Sequence, residues 1–138
     1  MKILKKLIIV SSLIFLIACG GGGGGGSEIP GVWRTSNFLV LNTCGTNDPD
    51  TVDLILNVNQ DGDNVVVDVG GGDTFAGQIL DNGFNFVRAR NVDGCIVTTL
   101  GEVTDIDGDF AESSLRIGFD CPGFAPCEIS YVGQAERL

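Results

Sequence analysis

The sequence predicts an all-β fold, an eight-stranded antiparallel up-and-down barrel, from two kinds of pattern. Apolar and polar residues alternate over short segments, as in Leu54, Leu56 and Val58, and a period of two is typical of a strand with one buried face. Pairs of Asp or Asn with Gly separate these segments, at Asp61-Gly62, Asn82-Gly83, Asp93-Gly94 and Asp107-Gly108. Such pairs accept the positive φ angles that a type I′ hairpin turn requires at both central positions.

Each strand is placed by its alternation and by the turn that ends it. The first begins after Gly31, each Asp/Asn-Gly pair joins two consecutive strands, and the last begins at Cys127. The predicted strands span residues 32–43, 51–59, 64–69, 74–80, 84–90, 95–104, 110–119 and 127–136. Because they follow one another as antiparallel neighbours, they can close into a barrel that leaves no free edge.

An up-and-down order predicts what lies at each end of the barrel. If the first strand runs upward, three tight Asp/Asn-Gly turns fall at the lower end. The longer connections 44–50, 70–73 and 120–126 fall at the upper end. The same count places four cysteines at the upper end: Cys44, Cys95, Cys121 and Cys127.

These four cysteines predict two disulfides, because an even number in a small exported domain is typical of a disulfide framework. The short connection favours Cys121 with Cys127, which leaves Cys44 with Cys95, although neighbouring strands allow the other pairings. A metal site is disfavoured, since the chain has no His and no Cys-x-x-Cys spacing.

Two segments precede the predicted barrel of residues 31–138. Residues 1–18 have a basic start and an apolar run from Leu7 to Ile17, which is too short to cross a bilayer and is typical of a secretory signal. Residues 19–30 contain the glycine run Gly20–Gly26, which predicts a flexible linker.

The stretch Leu16-Ile17-Ala18-Cys19 resembles the lipobox of bacterial lipoproteins. The resemblance implies that the peptidase cuts before Cys19, that this cysteine carries the lipid and that its new amino terminus is acylated. It therefore implies a lipid-anchored protein of the cell envelope. Gly20 stands where an Asp tends to retain such proteins at the inner membrane, which favours the outer membrane in a Gram-negative source.

The charge balance limits the classes of partner. After the signal, five arginines face eighteen carboxylates, a formal difference of −13. Such a surface repels nucleic acid and anionic lipid headgroups and attracts basic proteins over a distance. It also favours solubility.

Gly31-Val32-Trp33 at the start of an eight-stranded meander resembles the calycin group, which includes lipocalins, fatty-acid-binding proteins and avidins. The resemblance implies that Trp33 lies across the closed end and that a late arginine packs on its face. Arg137 is the first candidate for that arginine and Arg116 the second. It also implies a small ligand at the upper rim or inside, although the domain is shorter than a lipocalin and no carboxy-terminal helix is predicted.

Phe84, Phe86, Arg88 and Arg90 share one face of the fifth strand and are candidate ligand-binding residues. If that face is inward, the arginines can bind a ligand carboxylate. If Val87 and Ala89 face inward instead, the arginines are surface charges, which is the favoured interpretation. Five phenylalanines are expected to fill the barrel rather than line a pocket: Phe75, Phe84, Phe86, Phe110 and Phe119.

Asp105, Asp107 and Asp109 resemble the start of a calcium loop, but Phe110 and Arg116 stand where that loop needs Gly and an acid. A hairpin turn is the favoured interpretation. No cofactor is predicted. Without a His or a nucleophile motif, catalysis is not expected.

The expected function is non-catalytic binding of a small or apolar molecule by a membrane-anchored lipoprotein. The alternative is an envelope protein-interaction module, or an inhibitor of a basic enzyme of the protease or lysozyme type.

Overall fold

A computed structural model describes residues 28–138. The predicted signal peptide, the predicted lipid attachment at Cys19 and the glycine run all lie outside the described residues. Within them, eight antiparallel strands close into a barrel in chain order. The strands are β1 Gly31–Asn42, β2 Thr51–Asp61, β3 Asn64–Asp68, β4 Thr74–Leu80, β5 Gly83–Val92, β6 Cys95–Asp107, β7 Phe110–Asp120 and β8 Cys127–Arg137. The predicted strand order is confirmed, and no boundary differs by more than three residues.

The barrel closes through β1, which pairs with both β2 and β8. Thr35 lies opposite Leu54 on one side and opposite Ala135 on the other. Closure gives every strand two neighbours and so removes the free edges. Residues 28–138 contain no helix of the length and apolarity needed to cross a bilayer.

Only one of the four predicted turn pairs has the expected geometry. Asp93 and Gly94 both have positive φ, 52° and 86°, between the paired residues Val92 and Cys95. At the lower end the ladders extend one residue further, so Asp61 and Asp107 are still paired. The central residues there are Gly62-Asp63, Asp81-Asn82 and Gly108-Asp109, in which at most the glycine has positive φ. The type I′ prediction is therefore wrong for these three turns, although all three are as short as predicted.

The lower half of the barrel is filled by side chains. Trp33, Leu56, Val67, Phe84 and Val103 all have 0% of their surface exposed, so no water touches them. Ile29 packs against this cluster and its carbonyl accepts a hydrogen bond of 2.9 Å from Trp33 Nε1. The lower end is therefore closed by the segment that leads into β1.

Arg137 packs on the face of Trp33, with its guanidinium carbon 5.0 Å from the ring centroid. Arg137 also pairs with Glu28 at 3.2 Å. Arg116, the second candidate, lies on the outer surface and pairs with Glu128 at 3.4 Å. The expectation that Arg137 stacks on the tryptophan is confirmed.

Above this apolar layer, three polar side chains of β1 and β7 form a second layer inside the barrel. Ser113 Oγ donates to Asn37 Oδ1 at 2.6 Å, and Asn37 Nδ2 donates to Thr35 Oγ1 at 3.1 Å. All three side chains are buried. Because their hydrogen-bonding groups are paired, burial does not leave a desolvated group without a partner.

Candidate functional site

The upper end of the barrel is open where the lower end is closed. On β2, the inward-facing Leu56 and Val58 are buried, whereas Leu54 and Val52 above them are half-buried. Burial decreases in the same way on β7, where Leu115 is buried and Ile117 and Phe119 above it are half-buried. On β1, Leu39 at the upper end is also half-buried. Val97 on β6 and Ile129 on β8 remain buried. The upper end is therefore a shallow cup with apolar walls, which we call the mouth.

Both disulfides lie at this mouth, but they are not the pairs expected. Cys44 bonds to Cys127, and Cys95 bonds to Cys121. Each bond joins the upper ends of two neighbouring strands, β1 with β8 and β6 with β7. Their Cα atoms are 5.0 Å and 4.2 Å apart. The pairing of Cys121 with Cys127 was wrong because barrel closure brings Cys44 to Cys127 across 83 residues of chain.

The connection between β1 and β2 is held by the side chain of Asn42. Its Nδ2 donates to the carbonyl of Thr46 at 2.8 Å and to Asp48 Oδ2 at 3.0 Å. Its Oδ1 accepts from the backbone N–H groups of Cys44 and Gly45 at 3.0 and 3.1 Å. One amide therefore satisfies four groups and fixes the loop beside the disulfide.

The connection between β7 and β8 carries Phe124, whose surface is 78% exposed. This loop is fixed at one end by the Cys95–Cys121 bond and at the other by the Cys44–Cys127 bond. Beneath it lies an apolar cleft of about 340 Å³, lined by Phe119, Phe124, Ala125, Thr46 and three of the bonded cysteines. The cleft opens into the mouth because Phe119 is one of its inward-facing walls.

The opposite wall of the mouth is charged. Arg88 Nη1 lies 2.7 Å from Asp73 Oδ1, and the guanidinium carbon lies 5.6 Å from the centroid of the Phe75 ring. These groups, with Arg90 and Thr99, line a small cleft of about 50 Å³. The hydrogen bond from Arg88, and then its positive charge, lower the pKa of the Asp73 carboxyl.

The orientation of β5 corrects the favoured interpretation of its arginines. Phe84 and Phe86 are buried inside the barrel, whereas Val87 is 44% exposed on the outer face. Arg88 therefore belongs to the inner wall and is half-buried, so it is not a plain surface charge. Arg90, one step further up, is exposed at the rim.

Four of the five phenylalanines pack as expected. Phe84 and Phe86 fill the lower barrel, Phe75 packs on Phe86 with centroids 5.6 Å apart, and Phe119 packs in the upper cluster. Phe110 does not: it is 63% exposed at the start of β7, where Ala111 is the inward residue. The expectation of a filling role was wrong for Phe110.

Tyr131 of β8 lies inside the barrel near the mouth and is buried. Burial raises the pKa of its hydroxyl, and the negative charges of Asp48 and Asp50 raise it further. Tyr131, Asn42 and Asp73 were not among the site residues predicted from the sequence. Strand parity in β8 contained the signal for Tyr131, since Ile129 and Tyr131 alternate inward, but the two loop contacts depend on three-dimensional closure.

The aspartates of the calcium alternative lie around the β6–β7 turn at the lower end. Asp105, Asp107 and Asp109 are all exposed, and Asp105 has a positive φ of 53° where the ladder shifts between Thr104 and Asp107. Among residues 28–138, no three His, Cys, Asp or Glu side chains are arranged to hold a metal ion.

No protein-family model, curated protein or solved structure matches this chain. The geometry of the mouth is therefore the basis on which a function is assigned.

Proposed function

We propose that the chain is a lipid-anchored protein of the cell envelope whose barrel binds a small, largely apolar molecule at its mouth without catalysis. The observation that carries this proposal is the one-sided opening of the barrel. On β1, β2 and β7 the inward-facing apolar side chains at the upper end contact solvent while those below them are buried, next to an apolar cleft of about 340 Å³. Ligand pockets begin at roughly 300 Å³, so the size fits a small molecule.

The favourable free energy of binding comes from covering apolar surface that the fold leaves exposed to water. A ligand over Phe119, Ile117 and Leu39 removes their half-buried side chains from water, at roughly 25 cal/mol per Å² of apolar area. The two disulfides and the Asn42 contacts fix the surrounding loops before binding. Less conformational freedom is then lost on association.

The charged wall favours a ligand that also has an acidic group. Arg88 and Arg90 are two of only five arginines in residues 28–138, and both lie at the mouth. A ligand carboxylate there competes with Asp73 for the guanidinium of Arg88, because arginine can donate two parallel N–H···O hydrogen bonds to one carboxylate. An apolar body with an acidic head is therefore the class of molecule that suits both walls.

The lipid anchor is part of the proposal and rests on the lipobox-like stretch that ends at Cys19. Two or more acyl chains give a stable anchor where one does not. The chain enters the barrel at its lower end, where Glu28 and Ile29 contact Arg137 and the Trp33 cluster. An anchor upstream of Glu28 therefore joins the end opposite the mouth.

The test is native mass spectrometry of the full chain, exported to an oxidising compartment and extracted in detergent, recorded before and after denaturation. We expect an additional mass that is lost on denaturation. The Phe119→Ala variant should lose this mass, because it removes a wall of the apolar cleft. The matched Phe110→Ala variant should retain it, because Phe110 is exposed at the other end. A wild-type chain without this non-covalent additional mass would refute binding at the mouth.

A further inference from the structure

Gly118 differs from the other glycines inside the strands, because nothing in the fold requires it. A Cβ at Gly77 or Gly133 would lie 1.8 Å from a backbone oxygen, and one at Gly101 would lie 2.0 Å from the Phe86 ring. At Gly118 the nearest atom to a Cβ is the carbonyl oxygen of Thr98 at 4.0 Å, and its φ is not positive. A glycine inside a strand weakens it, and often marks a place where a ligand or another chain approaches closely.

The space above Gly118 belongs to a groove on the outer wall of the barrel. Gly118 lies between Thr98 of β6 and Glu128 of β8 in the ladder. Because Ile117 and Phe119 face inward, Gly118 faces out. A groove of about 360 Å³ passes over it, bordered by Ile96, Pro126, Asp120 and Glu128. The groove meets the apolar cleft of the mouth at Phe119 and Cys127, which line both, whereas Gly118, Ile96 and Asp120 line the groove and not that cleft.

The walls of the groove combine apolar and acidic surface. Ile96 is 45% exposed and flanks the gap left by the missing side chain. Asp120 takes part in none of the four salt bridges found among residues 28–138, whereas Glu128 is partly neutralised by Arg116 at 3.4 Å. An uncompensated carboxylate therefore borders an apolar gap.

These features match one kind of side chain. Lysine and arginine have an aliphatic stem that packs on apolar surface and a cationic head that forms an ion pair with a carboxylate. The surrounding field has the matching sign, since residues 28–138 hold no lysine and five arginines against eighteen carboxylates. Such a field attracts a basic protein and raises its association rate.

We propose that the groove over Gly118 is a docking site for a lysine or arginine side chain presented by a basic partner protein. The stem lies over Gly118 and against Ile96, and the cationic head meets Asp120. The occupant is a protein rather than a small apolar molecule, because the acidic border and the overall charge select a cation. This docking site does not depend on ligand binding at the mouth.

The experiment uses the full chain in nanodiscs of phosphatidylcholine, a lipid without net charge. The probe is a fluorescein-labelled pentapeptide, Gly-Arg-Ala-Arg-Gly, and its dissociation constant is measured by anisotropy at low salt. Asp120→Asn should weaken binding about fivefold, the equivalent of roughly 1 kcal/mol. Asp81→Asn is the matched control, because it makes the same charge change at an exposed turn of the lower end and should change the constant less than twofold.

Gly118→Val tests the groove independently of charge. The valine fills the gap and should weaken peptide binding at least as much as Asp120→Asn does. It should not lower the urea midpoint of unfolding, because space exists for the side chain and β-branched residues favour strands. If Gly118→Val fails to fold, Gly118→Ala serves as the smaller replacement. Equal effects of the two aspartate variants, unchanged binding by a folded Gly118 variant, or no peptide binding by the wild-type chain would each overturn the proposal.

Discussion

Trp33 and Arg137 show how two side chains close the lower end. The cation lies 5.0 Å from the ring centroid and is held there by Glu28. We expect Arg137→Ala to lower the free energy of unfolding by about 1–2 kcal/mol, the range for a partly desolvated cation–π contact. Arg116→Ala is the matched control, since that arginine forms only an exposed salt bridge and should lose less than about 1 kcal/mol. Urea unfolding followed by the fluorescence of Trp33 measures both; equal losses would contradict a specific stacking contribution.

The titration of the Tyr131 hydroxyl can be measured without overlap from other tyrosines, because it is the only tyrosine in the chain. Burial and the nearby Asp48 and Asp50 raise its pKa above the ordinary value of 10.0. The neutral hydroxyl therefore stabilises the fold below about pH 10, and this contribution is lost as the pH rises through the folded-state pKa. Tyrosinate absorbance should titrate at higher pH in the native protein than in urea, and Asp48→Asn should reduce the difference. Identical native and unfolded titrations would show that the hydroxyl is not buried.

At the scale of the strands, alternation and turn residues were sufficient to place all eight elements. Local patterns succeed here because each strand has one buried face and each hairpin has a short turn. Alternation alone does not say which face is inward, and for β5 the wrong face was favoured, so Arg88 was misplaced. Local patterns also do not predict how far the backbone pairing of two strands extends. Asp61 and Asp107 were assigned to turns, although both are paired with the neighbouring strand. The groove over Gly118 was not predicted at all, because a missing side chain has no periodic signal.

The irregularity in β6 gives a prediction for this strand. Asp105 has a φ of 53°, a conformation that an L-residue adopts at some cost and that glycine adopts freely. We expect Asp105→Gly to raise the free energy of unfolding by roughly 0.5–1 kcal/mol. Asp107→Gly, in the same strand without positive φ, should instead lower it, because glycine weakens an ordinary strand position. Chemical denaturation compares the two, and a loss of stability in both would show that the bulge conformation is not strained.

For the whole molecule, the decisive contact is between the first and last strands. It was expected from the barrel topology, but its effect on the cysteines was not. The pairing favoured from the sequence joined cysteines close in the chain, whereas closure makes Cys44 and Cys127 neighbours in space. Distance along the chain is a poor guide to distance in a closed barrel, since its two ends are adjacent strands.

The two disulfides should differ in their contribution to stability. The Cys44–Cys127 bond closes 83 residues and the Cys95–Cys121 bond closes 26. If restriction of the unfolded chain dominates, replacing the first pair by serine should cost about 4.5 kcal/mol and replacing the second about 3.5 kcal/mol. Each double variant keeps the other bond as its internal control. Thermal or urea unfolding measures both, and a larger loss for the shorter loop would contradict the entropic explanation.

The closure of β1 on β8 also has a consequence for the proposed export of the chain. A chain that enters an oxidising compartment amino terminus first presents Cys44, then Cys95, and only later Cys121 and Cys127. Oxidation in order of arrival would therefore join Cys44 to Cys95, whereas the native bonds join Cys44 to Cys127 and Cys95 to Cys121. Correcting that bond requires thiol–disulfide exchange through a mixed intermediate. We expect the yield of the native barrel to depend on a disulfide isomerase, rather than on an oxidase alone.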